Sequence, residues 1–486
     1  MIQILQKNDD LEYELRALLM SFFPGQTITT KEVIYEASEE VYTVDAVFLE
    51  DRIGISFLKN GIPILMKESC ANQANRSEYK NVAKMLVYQG MSEITQKTLP
   101  WGTLSGVRPT KMAFARLEKG ATDEEVLNFY GEQYLCSNEK ARLALTIARK
   151  ELDILREIDY KNGYSLYIGI PFCPTRCLYC SFTAYSVTAY EKQVDAYLDA
   201  LFKEIQFAAK GHIGKKLTTI YIGGGTPTSL NEKQLKRLLI EVTTKLDFTH
   251  VKEFTVEAGR PDSITREKLE LLKEFGVNRI SINPQTMNLR TLEIIGRKHT
   301  VEQIVEAFRM AREVGHTNIN MDLIIGLPGE DVAEVAYTLA EIKKLKPESV
   351  TVHTLAIKRA AYLNMYKDKY KDLTFGDAKA CLQLTETFAK EMGYEPYYLY
   401  RQKNMSDNLE NVGYSIPGME CIYNILIMEE RQDIIALGAG ASSKYIMYDQ
   451  NRIERVENVK DVNEYINRIE EMIQRKKTFI NKEYEL

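Results

Sequence analysis

The chain has 486 residues, 45% of them hydrophobic, with 63 Lys and Arg set against 68 Asp and Glu for a net charge of −5. This length can bury a large core and predicts two or three domains; the slight acidity gives no electrostatic footprint for nucleic acid, and no apolar run approaches the roughly 18 residues that a membrane-spanning helix needs. The opening Met1-Ile-Gln-Ile-Leu-Gln-Lys-Asn-Asp-Asp10 lacks the apolar stretch of a secretory signal. Seven cysteines, an odd number, suit a reducing compartment, and a cytoplasmic protein is expected.

In chain order, strand-like alternation at Glu32–Phe48 and Gly54–Leu58, then helical periodicity at Asn81–Met91 and Glu139–Glu157, predict a small α+β domain over 1–161. It carries no metal or nucleophile signature and is expected to act as a lid or substrate-recruiting module. Trp101, the only tryptophan, sits beside Gly102 and Gly106 and is expected to anchor this domain.

Over 162–360 the pattern changes. Apolar, β-branched runs at Leu166–Ile170, Thr218–Ile222, Glu253–Glu257, Arg279–Ile282, Asn318–Ile324 and Ser349–His353 alternate with amphipathic stretches at Val194–Ala208, Glu232–Thr244, Arg266–Phe275, Val301–Val314 and Asp331–Lys344. Such alternation makes a parallel sheet covered by helices. Six units rather than eight predict an α/β fold with a partial (β/α)6 TIM-like barrel, open at one side. The remaining 361–486 reads as a C-terminal capping region. It comprises a helix at Phe375–Met392, a strand at Tyr394–Leu399, a loop at Asn408–Gly418, an apolar strand into a small-residue turn at Ile434–Ala441, and a charged, solvated helix at Val459–Lys476.

The most informative run is Tyr167-Ile-Gly-Ile-Pro-Phe-Cys-Pro-Thr-Arg-Cys-Leu-Tyr-Cys180, which places Cys173, Cys177 and Cys180 at C-x3-C-x2-C spacing just past the first strand. Three thiolates on one loop can hold three corners of an iron–sulfur cubane and leave the fourth iron open to a small molecule. A zinc site would need a fourth ligand, and no histidine follows at knuckle spacing; a disulfide with one spare thiol also remains open. Cys70, Cys136, Cys381 and Cys421 are scattered and read as ordinary thiols.

Polar groups recur where the later strands end: Gly223-Gly-Gly-Thr-Pro227, Glu257, Asn283-Pro-Gln285, Asp322 and His353-Thr354. Each alone could be a strand terminator or a helix cap. Together, at successive C-terminal strand ends of a barrel, they would converge on one pocket.

The cysteine run, the Gly-Gly-Gly-Thr-Pro turn, Glu257-Ala-Gly-Arg-Pro-Asp262, Arg279-Ile-Ser-Ile-Asn-Pro-Gln285, Gly296-Arg-Lys-His-Thr300 and Asn320-Met-Asp-Leu-Ile-Ile-Gly-Leu-Pro328 occur in this order. Their combination, over about Ser165 to Lys444, resembles the oxygen-independent coproporphyrinogen III oxidase family of radical S-adenosylmethionine (SAM) enzymes. The segments Trp101–Lys111 and Leu409–Gly418 resemble the coproporphyrinogen dehydrogenase branch of Gram-positive bacteria.

The resemblance implies one [4Fe-4S] cluster on Cys173, Cys177 and Cys180, with SAM chelated to the open iron and cleaved on reduction to methionine and a 5′-deoxyadenosyl radical. It implies SAM contacts from Tyr167, Tyr179 and Glu257, and from Gly224, Gly225, Thr226, Gln285, Arg297, Asp322 and Ala356, some of them to a second SAM molecule. Ser442 matches a further position that usually carries a bulkier apolar residue. The implied reaction turns two propionates of coproporphyrinogen III into vinyl groups, giving protoporphyrinogen IX. The implied partners are a tetrapyrrole substrate and a low-potential electron donor such as flavodoxin or ferredoxin, with no nucleic acid and no membrane span.

Two departures stand out. Ser181-Phe182 replaces a fourth cysteine found two residues past the third, and Gly169-Ile-Pro171 replaces a His-Ile-Pro tract. The second removes a candidate axial ligand from the rival reading, a haem chaperone of the same superfamily. A haem-modifying radical enzyme and an RNA-modifying one are the other rivals; the latter lacks the expected basic module. An acidic tetrapyrrole calls for cations, and Arg108, Lys111, Lys358, Arg359, Arg401 and Lys403 are the candidates.

Overall fold

A computed structural model describes residues 1–7, 11–31, 40–182, 184–212, 214–356, 361–365, 374–402, 409–450 and 452–483. Lys358, Arg359, Lys403 and the start of the predicted Glu32–Phe48 and Asn408–Gly418 segments lie outside them. The chain divides into two compact units, one formed by 1–149 with 399–410, the other by 150–398 with 411–486.

The first unit holds a five-stranded sheet built from Ile2–Lys7, Ile28–Thr29, Tyr42–Phe48, Arg52–Lys59 and Ile62–Cys70. Helices Glu12–Phe22 and Arg76–Thr95 bury Leu15, Leu19, Tyr79 and Val87 with the sheet residues Val44, Ile55 and Phe57. Trp101 is fully buried and donates from Nε1 to Glu410 Oε2 at 2.7 Å, which makes it the anchor expected. Arg401 is also buried: its Nη1 donates to the Leu104 carbonyl at 2.7 Å, so its charge serves this unit's backbone rather than a solvent-facing substrate patch.

The second unit is organised by six parallel strands, β1 (Gly163–Ile170), β2 (Lys216–Gly224), β3 (Glu253–Glu257), β4 (Arg279–Ser281), β5 (Ile319–Ile325) and β6 (Ser349–Thr354), hydrogen-bonded in chain order. On the far side of β6, β7 (Asn411–Ser415) runs antiparallel. Beside β1, β8 (Asp433–Leu437) adds in parallel, pairing Asp433 to Leu437 with Tyr164 to Ile168, and β9 (Ser442–Met447) and β10 (Arg452–Glu457) continue the sheet antiparallel. The 361–486 region therefore contributes strands to the barrel sheet as well as covering it.

Helices α1 (Glu191–Gly211), α2 (Glu232–Lys245), α3 (Arg266–Glu274), α4 (Val301–Val314) and α5 (Val332–Leu345) connect the strands, and α6 (Ala378–Glu391) follows β6. Their limits follow from local chemistry. Asn231 with Gln234 and Thr300 with Gln303 form capping boxes, and Gly315 ends α4 at a φ of 98° that favours glycine. The buried faces repeat at i, i+3, i+4 and i+7: Leu235, Leu238, Leu239 and Val242 on α2, and Ile304, Ala307, Phe308 and Ala311 on α4. Each such leucine contributes about 1.5–3 kcal/mol by leaving water.

Strand alternation divides the sheet's two faces chemically. Leu166 and Ile168, Ile220 and Ile222, Phe254 and Val256, Ile280, Met321 and Leu323, and Val350 and Val352 occupy one face and are all buried. In register on the other lie Ser165, Tyr167 and Gly169, Thr219, Tyr221 and Gly223, Glu253, Thr255 and Glu257, Arg279 and Ser281, Asn320 and Asp322, and Ser349, Thr351 and His353. The second set is polar where ordinary barrels are filled by branched aliphatics, and it is cross-linked: Thr219 Oγ1 donates to Ser165 Oγ at 2.7 Å, and Asn320 Oδ1 accepts from Ser349 and Thr351 at 3.0 and 3.2 Å.

The predicted helix Val459–Lys476 is two helices, α8 (Val462–Asn467) and α9 (Ile469–Glu483), and it is not a solvated face throughout. Val462, Tyr465, Ile469, Met472 and Lys476 are all buried along one stripe. The lysine is tolerated there because its Nζ meets Glu204 Oε1 of α1 at 2.6 Å.

Candidate cluster and cofactor site

The cysteine loop leaves β1 at its C-terminal end and is tied down from three sides. Gly225 N donates to the Ile170 carbonyl at 2.8 Å and Thr226 N to the Phe172 carbonyl at 2.7 Å, so the glycine turn after β2 zips onto the loop entry. Thr226 Oγ1 reaches Cys173 Sγ at 3.5 Å. A Cβ on Gly225 would lie 2.6 Å from the Phe172 carbonyl oxygen, so only glycine permits this approach.

From β3's exit comes Arg260, buried, with Nη1 donating to Thr175 Oγ1 at 2.8 Å and to the Thr175 carbonyl at 3.1 Å. Its other edge binds Asp262 through two bonds of 3.0 and 2.7 Å. Burial works against the Asp262 carboxylate, yet His299 and Arg260 hold its pKa well below the usual range. Leu178 N donates to the Ile295 carbonyl at 2.9 Å and Thr175 Oγ1 to the Gly296 carbonyl at 3.0 Å, fixing the far side of the loop.

Cys173, Cys177 and Cys180 are free of disulfides. Burial pushes the Cys173 thiol up to about 11 and raises Cys180 as well, so loading a metal centre must release protons. Among the described residues no three His, Cys, Asp or Glu side chains converge on a single ion. A cubane distributes its thiolates over separate irons, so convergence on one point is not required, and three free thiols on one pinned loop fit a cluster with one open iron.

Around this loop the sequence-selected residues take up the following places. Tyr167 stands on the polar face of β1. Glu257 closes β3, and Tyr221 Oη of β2 donates to its Oε1 at 2.6 Å. Burial lifts the Glu257 carboxyl to about 7, although the Tyr221 hydrogen bond pulls it down. A Cβ on Gly223 would sit 2.9 Å from the Glu257 carboxyl carbon, so the glycine turn makes room for this side chain; Gly224, at a φ of 107°, turns beneath the Tyr167 hydroxyl.

Arg297 is buried, with Nη1 donating to the Asn283 carbonyl at 2.5 Å and Nη2 to Tyr179 Oη at 3.3 Å. Arg297 is thus an interior arginine, not a surface charge of the Gly296-Arg-Lys-His299 run. Gln285 adopts a left-handed φ of 68° and bridges to β5, its N donating to the Asp322 carbonyl at 3.0 Å. Asp322 ends that line: Asn320 Nδ2 donates to its Oδ1 at 2.7 Å and His353 Nε2 lies 3.8 Å from Oδ2. Burial opposes the Asp322 carboxylate, but His353 and Asn320 lower its pKa on balance. Ala356 lies two residues past β6, and Ser442 opens β9. Arg108 and Lys111 belong to the other compact unit.

Sequence reasoning missed Tyr221, Tyr423, Arg260 and Tyr197. Tyr423 is the second residue of α7 (Ile422–Glu429), whose Ile422 and Tyr423 amides donate to Glu253 at 2.6 and 3.3 Å, a carboxylate placed on the positive end of a helix. Its ring stacks on Tyr221 at 4.6 Å, and both lie near-parallel to Tyr167. Period-two alternation through Tyr167 and Tyr221 was the available signal for the second; nothing local in the sequence points from Tyr423 to β2.

The Radical SAM superfamily profile matches residues 167–342. The fold and the three-cysteine loop thus define a radical SAM protein, a class that implies a [4Fe-4S] cluster and SAM. The chain is 43% identical over 425 residues to the oxygen-independent coproporphyrinogen-III oxidase-like protein HemZ of Bacillus subtilis (strain 168), covering 85% of this chain and 84% of that protein. It is 34% identical over 279 residues to the heme chaperone HemW of the same organism, covering 57% and 70%. Among solved structures, coproporphyrinogen III oxidase (HemN) from Escherichia coli, a radical SAM enzyme, matches with a TM-score of 0.53 and 25% identity over 66% of this chain and 73% of that one. The chain belongs to the oxygen-independent coproporphyrinogen-III oxidase-like family. No described helix is long and apolar enough to cross a membrane.

Proposed function

We propose that the protein oxidatively decarboxylates two propionate side chains of coproporphyrinogen III to vinyl groups, with Cys173, Cys177 and Cys180 as the cluster ligands. The observation that carries this reading is the single edge shared by the pinned cysteine loop, the Gly223–Thr226 turn and the Tyr221-held Glu257. When bound, the cluster and SAM supply a 5′-deoxyadenosyl radical. The chain's own residues do the rest. Glu257, as a carboxylate, accepts hydrogen bonds from the amino or hydroxyl groups of SAM, and the Tyr167 ring and the glycine turn border it. Arg297 and Asp322 offer a fork for a carboxylate and an acceptor for hydroxyls, which supports a second SAM beside the first. Such a radical requires surroundings that exclude water and stray hydrogen donors once substrate is bound. Each round removes one hydrogen atom and carbon dioxide, and passes one electron to an acceptor; reduction of the cluster draws on a low-potential donor such as flavodoxin or ferredoxin.

Haem carriage is the second reading, favoured by the similarity to HemW and by His353 at a strand end beside Asp322. An anaerobic assay of the iron-reconstituted protein with dithionite, SAM and coproporphyrinogen III separates the two. Substrate-dependent 5′-deoxyadenosine with stepwise loss of two carboxyl groups supports decarboxylation. Stoichiometric haem binding without decarboxylation would move the protein to the second reading.

A further inference from the structure

Glu204 of α1 is fully buried and bonded on both oxygens. Oε1 meets Lys476 Nζ at 2.6 Å and Asn458 Nδ2 at 2.8 Å; Oε2 accepts from Tyr465 Oη at 2.6 Å and from the backbone amide of Gly438 at 2.8 Å. Asn458 closes the ring, accepting from Lys476 at 2.6 Å and donating to the Gly438 carbonyl at 2.8 Å. Both polar groups of Gly438 are therefore held by this network.

Seven residues earlier, on the same face of α1, Tyr197 is buried with its ring edge against Phe172. Its hydroxyl accepts from Ala439 N at 3.1 Å and donates to the Gly169 carbonyl at 2.7 Å. Gly438 approaches so closely that a Cβ there would lie 2.6 Å from that same carbonyl oxygen. The turn after β8 is thus pressed onto the last residues of β1, just before Cys173. A buried ion pair adds little stability over apolar side chains of equal volume, so stability alone does not account for a charge whose hydrogen bonds are aimed at one turn.

We propose that Glu204 and Tyr197 are positioning residues of the cofactor site. With Lys476 neutralising the carboxylate, they hold the Gly438–Ala441 turn against Gly169 and set where the cysteine loop begins, which makes α9 part of the site. The proposal rests on the cysteine loop being the cluster and SAM site.

Two variants test it, Tyr197→Phe and the charge-free double variant Glu204→Leu/Lys476→Met; the second removes both charges together, so neither is left buried and alone. Amide hydrogen exchange on the metal-free protein reads the turn without any cofactor, and SAM affinity is then measured on the reconstituted protein. Expected are faster exchange confined to peptides covering 437–442 and 167–172, a modestly lowered melting temperature for Tyr197→Phe as the Gly169 carbonyl and Ala439 amide lose a partner, and SAM binding weakened about 10–100-fold, the range for supporting residues around a metal site. Wild-type exchange and affinity in both variants would overturn the proposal, as would faster exchange spread over β2 to β5, which marks a merely structural role. Wild-type protein that takes up iron yet binds no SAM would instead sink the reading of the cysteine loop, and the exchange data tell that failure apart.

Discussion

Tyr221 Oη lies 2.6 Å from Glu257 Oε1, and this bond is opposed by the burial that lifts the carboxyl to about 7. If Glu257 receives SAM as a carboxylate, SAM affinity rises with pH through about 7. Tyr221→Phe removes the interaction that favours the charged form, so the midpoint moves up, by about one unit if the bond is worth the ~1.5 kcal/mol typical of a charged acceptor. Equilibrium SAM binding between pH 6 and 9 checks this; an unmoved midpoint would show that Glu257 does not control the affinity.

Arg260 holds the cysteine loop at Thr175 while Asp262 holds Arg260. Lysine keeps the charge but cannot present two parallel N–H groups to a carboxylate while also reaching Thr175. Arg260→Lys should therefore fold normally and lose iron to a chelator about 10–100 times faster than wild type. Equal rates of iron release would mean that the loop is set by its backbone bonds alone.

Much of the barrel was legible because its strands carry a strict two-residue alternation and its helices a clean 3.6-residue one. Val301–Val314 and Glu253–Glu257 match their expected limits, since Thr300 and Gly315 punctuate the first and the second is a short β-branched run between polar turns. The site was legible in part. Cysteine spacing, the glycine turn and acidic strand ends are local signals, whereas Tyr423 reaches Tyr221 only through the Glu253 cap on α7, a contact 170 residues apart in the chain. The end of the chain misled for a physical reason. Lys476 reads as solvated in any composition-based view, and only Glu204, 272 residues away, makes its burial possible.

Two glycines of one turn should respond differently to an added methyl group. At Gly225 the new Cβ meets the Phe172 and Ile170 carbonyl oxygens at 2.6 and 2.9 Å, rigid backbone at the root of the cysteine loop. At Gly223 it meets side chains instead, the Tyr221 ring at 2.8 Å and the Glu257 carboxyl at 2.9 Å, the two groups joined by the Tyr221–Glu257 hydrogen bond. Gly225→Ala is expected to cost about 1–3 kcal/mol of stability and to impair cluster uptake. Gly223→Ala should displace the Tyr221–Glu257 pair and weaken SAM binding while leaving iron content near wild type. Thermal unfolding and iron analysis on both variants decide it, and the same phenotype in both would refute the distinction.

A buried acid pair sets an expectation for stability against pH. Burial, and then the charge of Glu429, raise the Glu151 carboxyl well above its ordinary value, so the folded state holds a proton that the unfolded chain has released. Stability contributed by that proton is fully present below the unfolded pKa and falls as pH rises toward the folded one, with a slope of at most about 1.4 kcal/mol per pH unit for one proton. Glu151→Gln carries its own N–H donor at every pH and removes this titration. The wild-type unfolding free energy should therefore decline from pH 5 toward pH 9 more steeply than that of Glu151→Gln. Denaturant unfolding at several pH values measures both slopes, and parallel curves would show that Glu151 takes up no extra proton on folding.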